Sequence, residues 1–160
     1  LTRNQPFMED VRSAARRGLP IYAECGGAVV LGQELVYEGT SYRMAGVLPV
    51  TFGFQARPKG HGYVELKVTD ENPFYSGGTV LRGHEFHHTY LSSAATEDLQ
   101  FAFEVQRGFG FDGRRDGITQ GNVLACYTHI HALGTESWAA ALVNAAARFK
   151  LTDRGGVKHG

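Results

Sequence analysis

The run Gly18-Leu19-Pro20-Ile21-Tyr22-Ala23-Glu24-Cys25-Gly26-Gly27-Ala28 carries more structural information than any other stretch of the chain. A short apolar segment reaches a lone thiol and two glycines follow at once. Val29, Val30, Leu31 and Leu35 then read as a helix. That order sets a nucleophile on a sharp turn between a strand and a helix. The glycines let the backbone fold tightly under the side chain and leave room for a substrate. A helix N-terminus beneath the thiol lowers its pKa and offers free N–H groups to a developing oxyanion. The plainer alternative is a buried strand cysteine beside a glycine turn; the flanking residues favour the nucleophile.

Upstream, Asn4 is placed to cap a helix with Pro6 at its first position. Phe7, Val11, Ala14 and Ala15 repeat on one helical face, Arg16 and Arg17 suit the C-terminal end, and Gly18 stops it. Leu19 to Ala23 reads as a short buried strand. Helix, glycine, strand, nucleophile turn, helix is the grammar of an α/β sheet with parallel strands. Downstream the pattern changes: Tyr63, Glu65, Lys67 and Thr69 alternate with Val64, Leu66 and Val68, and Phe101, Phe103 and Val105 alternate again. Gly108 to Gly117, with four glycines and two aspartates, reads as a loop or hairpin tip. These strands without intervening helices predict antiparallel additions to the sheet. Asn122 to Tyr127 is a last apolar strand ending in Thr128-His129-Ile130-His131. Trp138, Leu142, Ala145, Ala146 and Phe149 then follow helical spacing, with Thr135 or Ser137 as caps.

A chain of 160 residues with neither repeat nor linker is expected to form one domain. Lysine plus arginine and aspartate plus glutamate are equal at 16 each, so no basic stripe points to nucleic acid. No apolar run approaches a membrane span, and no leader pattern precedes the first helix. The two cysteines form neither a disulfide framework nor a CxxC pair. The expectation is a cytoplasmic globular domain without a membrane or nucleic-acid partner.

A thiol at such a turn needs a base, and His129 is the best placed because it ends another predicted strand. Reacting groups gather at the carboxyl ends of strands in open α/β sheets. A Cys25–His129 pair could attack a carbonyl carbon and protonate the leaving group, with the Gly26 N–H as oxyanion donor. The plain alternative for His129 is a hydrogen-bonded strand-end histidine. His84, Glu85, His87, His88, His129 and His131 invite a metal reading, but their spacing matches neither HExxH nor a paired-cysteine zinc site. His84 and His88 share one strand face and Glu85 and His87 the other, so no single tetrahedral site forms from them. A polar wall beside the site, with no metal, is expected instead. Gly108-Phe109-Gly110-Phe111-Asp112-Gly113 lacks the βαβ context of a phosphate loop.

Three motifs now stand in order: Gly18 to Gly27, Gly83-His84-Glu85-Phe86-His87, and Leu124-Ala125-Cys126-Tyr127-Thr128-His129-Ile130-His131. From about Asn4 to Lys150 the chain resembles the glutamine amidotransferase domain of the cobyrinic (or hydrogenobyrinic) acid a,c-diamide synthases of cobalamin biosynthesis. The resemblance implies a class I, triad-type fold of three layers: α/β, with a mixed, mainly parallel sheet and antiparallel additions. Its N-terminal strands would lie outside this chain. Residues 1–150 would form the glutaminase domain and 151–160 a flexible tail. Cys25 would attack the side-chain amide of glutamine, release ammonia and leave a thioester that water hydrolyses. His129 matches the family's catalytic histidine. Other class I amidotransferases carry a glutamate two residues beyond it, where this chain has His131, which leaves the third triad role open. Glu85 and His87 are secondary candidates for orientation or glutamine binding. Cys126, where serine is usual, is redox-sensitive or, more simply, an inert strand thiol. ATP and magnesium are implied for a separate synthetase domain that binds the corrinoid and receives the ammonia; no cofactor is implied for these residues. A homodimer is one option for the assembly. Two readings stay beside this one: a related Cys–His amidotransferase acting on cobyric acid or a cell-wall precursor, and an inactive or metal-binding domain.

Overall fold

The computed structural model describes residues 3–69, 72–92 and 98–155, and the order of its elements follows. Helix α1 (Gln5–Arg16) leads to β1 (Ile21–Glu24) and the one-and-a-half-turn α2 (Gly26–Leu31). Three short strands follow, β2 (Glu34–Tyr37), β3 (Thr40–Arg43) and β4 (Thr51–Phe54). Then come β5 (Gly60–Val68), β6 (Val80–His87), β7 (Thr89–Leu91), β8 (Gln100–Arg107) and β9 (Arg115–Gln120). The chain closes with β10 (Val123–Cys126), β11 (His129–Ile130) and α3 (Ser137–Gly155).

Asn4 caps α1, its side chain accepting the Phe7 N–H at 3.2 Å, and Pro6 sits in the first turn where a missing N–H is harmless. Gly18 takes φ +80° just beyond the helix. The buried row is set by Met8, 1% exposed against Met44 and Ala45, with Val11 beside them. Phe7, expected on the inner face, is exposed and Met8 is buried in its stead, while Val11 and Ala15 pack inward as the spacing suggested.

The main sheet has seven strands in the order β1-β10-β9-β8-β5-β6-β11. It is mixed, as expected, but its balance is the reverse of mainly parallel: β1–β10 is its one parallel pair among the described residues. The reason lies in the connections. Parallel neighbours need a long crossover, which the chain makes between β1 and β10, whereas β8, β9 and β10 follow one another through short turns. Gly108 to Arg114 is the β8–β9 hairpin tip, as the glycines predicted. Two residues after β10 the same run of chain pairs with β6 as β11, so Tyr127 and Thr128 carry the chain from β9's neighbour to the far edge of the sheet order.

A second, four-stranded sheet, β3-β2-β4-β7, was not foreseen. Leu35, expected in the helix after Cys25, lies in β2, because α2 stops at Leu31 and Gly32 follows in extended conformation. The chain passes between the sheets at His88, the single residue separating β6 from β7.

Strand β10 shows why both faces of the main sheet must be covered. Val123 and Ala125 enter one core with Ala28, Val29, Phe52 and Tyr127; Leu124 and Cys126 enter the other with Leu66, Tyr75, Phe103 and Ala141. A strand buried on both sides has no polar alternation, which is the pattern of Asn122 to Tyr127. Strand β5 keeps the expected alternation, with Val64, Leu66 and Val68 buried. Helix α3 presses Ala141 and Ala145 inward and runs to Gly155, so residues 151–155 are helix rather than tail; 156–160 lie outside the described residues.

Gly83 on β6 sits where β11 crosses: a Cβ there would lie 2.1 Å from the His129 carbonyl oxygen and 2.9 Å from Thr128 Cγ2. Backbone cannot yield as a flexible side chain does. Gly83→Ala is therefore expected to destabilise the fold by about 2–3 kcal/mol, read as a lower urea midpoint with unchanged slope.

Candidate active site

Cys25 is pinned on both sides of the turn. Its N–H donates to the Cys126 carbonyl at 2.7 Å, extending the β1–β10 ladder, and its own carbonyl accepts the Val29 N–H that begins α2. Between those two bonds the backbone takes φ +49° and ψ −109°. For a residue with a side chain this costs about 1–3 kcal/mol. The strain expected of the glycines thus falls on the cysteine itself. Neither Gly26 nor Gly27 lies in the left-handed region, and a Cβ on Gly26 would meet nothing within 4 Å. The space foreseen beside the thiol is open.

The thiol is half-buried, with Sγ 3.9 Å from the Phe86 carbonyl on β6. Burial pushes the Cys25 pKa up, the Gly26 N–H opposes this, and the Glu24 carboxylate adds to the rise. The lowering expected of a helix N-terminus comes from the Gly26 N–H at the start of α2, and desolvation of the half-buried thiol outweighs it.

His129 opens β11 and pairs across to His84, two residues along β6 from Phe86. The imidazoles of His84 and His129 stack with centroids 5.0 Å apart. Nδ1 of His129 lies 3.5 Å from Glu24 Oε2, and Glu24 Oε1 accepts the Ile130 N–H at 3.1 Å. The structure therefore sets Glu24 against His129, and places Cys25 and His129 at Phe86 and His84, two residues apart along β6. His131 goes elsewhere: its Nδ1 accepts the Gly134 N–H at 3.1 Å within an exposed turn.

Glu85 and His87 share the inner face of β6 and are 2% and 3% exposed, so they form no wall open to a ligand. Glu85 accepts the N–H groups of Phe109 and Gly110 and lies 3.2 Å from His87 Nε2. His87 bonds the Thr89 carbonyl through Nδ1 and stacks flat on Tyr127 at 3.7 Å. The pair ties the β8–β9 hairpin to β6. Burial pushes the Glu85 carboxyl up, but His87 and the two N–H donors outweigh it and hold the group below its ordinary range. The exposed wall consists instead of His61, Tyr63, His84 and Phe86, around a hollow of about 390 Å³.

Two supporting residues escaped the sequence reading. Glu24 stood in the motif only as a flank. Asp116, fully buried, accepts the N–H groups of Gly117, Tyr127 and Thr128 and the Thr128 hydroxyl at 2.7–3.1 Å. Burial pushes its carboxyl up while those donors oppose the shift. Its place beside Gly117 in a glycine-rich segment looks like any turn aspartate, and its partners lie in another strand. Among the described residues no three histidine, cysteine or acidic side chains are grouped to hold a metal ion. No described helix is long and apolar enough to cross a membrane.

Two measurements test these environments. Cys126 is fully buried with Sγ 3.2 Å from the Thr128 carbonyl, and burial raises its pKa well above the ordinary value. Iodoacetamide should therefore label Cys25 in the folded chain and reach Cys126 only after denaturation, as read by peptide mass spectrometry. For Glu85, a folded pKa below the ordinary 4.5 means stability that is complete above that pH and lost as pH falls through the folded value. Glu85→Gln should cost about 1–3 kcal/mol at neutral pH. It should also flatten the acid limb of stability below pH 4.5 in urea titrations at several pH values.

Residues 1–137 match the CobB/CobQ-like glutamine amidotransferase domain family. The chain is 39% identical over 139 residues to a cobyrinate a,c-diamide synthase of Magnetococcus marinus, covering 87% of this chain and 30% of that protein. It is 36% identical over 150 residues to one of Archaeoglobus fulgidus, covering 94% and 32%. The chain thus spans about a third of the length of these relatives. Among solved structures, a glutamine amidotransferase superposes with a TM-score of 0.61 at 18% identity, over 91% of this chain and 70% of the other. One from Thermotoga maritima gives 0.51 at 12% identity, over 92% and 63%. The fold is that of the glutamine amidotransferases, and the chain belongs to the CobB/CobQ-like glutamine amidotransferase domain family.

Proposed function

We propose that this chain is the glutaminase part of an ATP-dependent ligase that amidates the a and c carboxylates of a cobyrinic acid. The observation that carries the reading is a strained, half-buried Cys25 set against Phe86 of β6 while His129 pairs with His84 two residues along the same strand. Cys25 attacks the side-chain amide carbon of glutamine while His129 takes the thiol proton. Burial raises the thiol pKa, so the thiol needs a base such as His129 to become the nucleophile. The Gly26 N–H faces the oxyanion that forms. Collapse of the tetrahedral species breaks the C–N bond, and the imidazolium returns its proton to the departing nitrogen as ammonia. His129, neutral again, then activates water, which cleaves the thioester to glutamate and restores the thiol.

The names of the relatives supply the acceptor on this reading. Ammonia passes to cobyrinate carboxylates activated by ATP and magnesium, in the portion of those proteins that this chain does not match. Gly108 to Gly113 is a hairpin tip rather than a phosphate loop, in keeping with that division of labour. The cytoplasm, which supplies both glutamine and ATP, is the compartment proposed.

Treatment with 6-diazo-5-oxo-norleucine should give a single adduct on Cys25, seen by mass spectrometry. In the intact native enzyme Cys25→Ser should abolish glutamine hydrolysis and keep synthesis from free ammonia. His129→Ala should lower the glutaminase rate by roughly 10²–10⁴-fold. Loss of both activities in Cys25→Ser would place the thiol in folding or domain contact and overturn the reading.

A further inference from the structure

We infer that Glu24 is the positioning carboxylate of this site, holding the His129 imidazole with Nε2 turned to the Cys25 thiol. The inference rests on the glutaminase reading above and concerns the role that the triad pattern leaves open at His131. Glu24 reaches His129 Nδ1 with Oε2 at 3.5 Å, while Oε1 accepts the Ile130 N–H at 3.1 Å. One carboxylate thus grips both the ring and the backbone immediately after it, which fixes β11 and the base together. Among the described residues no lysine or arginine pairs with Glu24 and competes for it. His131 cannot substitute, because its Nδ1 is held in the turn by Gly134.

Glu24 and Cys25 are neighbours, and neighbouring side chains in a regular strand point to opposite faces. The φ of +49° at Cys25 takes the thiol out of that alternation. Adjacent residues can therefore serve the same imidazole from two sides. A carboxylate facing Nδ1 keeps the proton there, so Nε2 is left as the acceptor for the thiol proton. It also stabilises the imidazolium that forms when the proton arrives. The side chains of Glu24 and His129 are 24% and 36% exposed, so water screens the pair. Its contribution is therefore orientation and charge during turnover rather than stability of the fold.

The test is Glu24→Gln in the intact native enzyme. Glutamine keeps an acceptor for the Ile130 N–H but turns an NH₂ toward Nδ1, favouring the tautomer whose Nε2 is already protonated. Glutaminase kcat should fall by roughly 10–100-fold with KM for glutamine within about twofold. Glu24→Asp should recover most of that kcat, and ammonia-dependent amidation should stay at the wild-type rate in both variants. His131→Ala should keep kcat within about twofold. A Glu24→Gln enzyme with wild-type kcat would overturn the inference while leaving the glutaminase reading intact. So would equal loss of ammonia-dependent synthesis, which marks a structural role. A wild-type enzyme that neither hydrolyses glutamine nor takes the Cys25 adduct would remove the reading beneath it, a result distinct from the other two.

Discussion

Asp116 has no exposed surface, yet its carboxylate receives the N–H groups of Gly117, Tyr127 and Thr128 and the hydroxyl of Thr128. The need for it arises from topology. At Tyr127 the chain leaves its place beside β9 and within two residues joins β6, so its backbone donors have no strand opposite them. Each buried donor left unpaired costs about 1–3 kcal/mol. Asp116 supplies those partners from the neighbouring strand, and the corner it holds determines where His129 emerges. The pairing of β11 with β6, the crossing over Gly83 and the placing of His129 beside Glu24 all follow from that corner.

Around it the site is supported from beneath rather than from its rim. Glu85, His87 and Tyr127 fasten the back of β6 to the β8–β9 hairpin, while the front carries Phe86 and His84 toward Cys25 and His129. One strand therefore reads as structural on one face and chemical on the other. The short α2 packs Ala28, Val29 and Leu31 into the core beneath the thiol.

Much of this was legible in the residues. The strand–thiol–glycine order, the unbroken apolar run of β10, the alternation of β5 and the glycine-marked hairpin each have a local cause that a sequence displays. The second sheet was not, because strands of three or four residues such as Thr51–Phe54 and Thr89–Leu91 are too short to establish a period. Pleating showed that Glu85 and His87 share a face, but which face is buried depends on neighbours far along the chain. Asp116 and Glu24 were hidden for the same reason: apart from Gly117, their partners Tyr127, Thr128, His129 and Ile130 lie 11 or more residues away.

The backbone of Cys25 has a consequence for how such a domain changes over generations. A glycine at position 25 would accept φ +49° without the penalty that a side chain incurs there. On the glutaminase proposed above, folding and chemistry therefore pull this position in opposite directions: selection for stability alone favours glycine there, and only the proposed reaction favours the thiol.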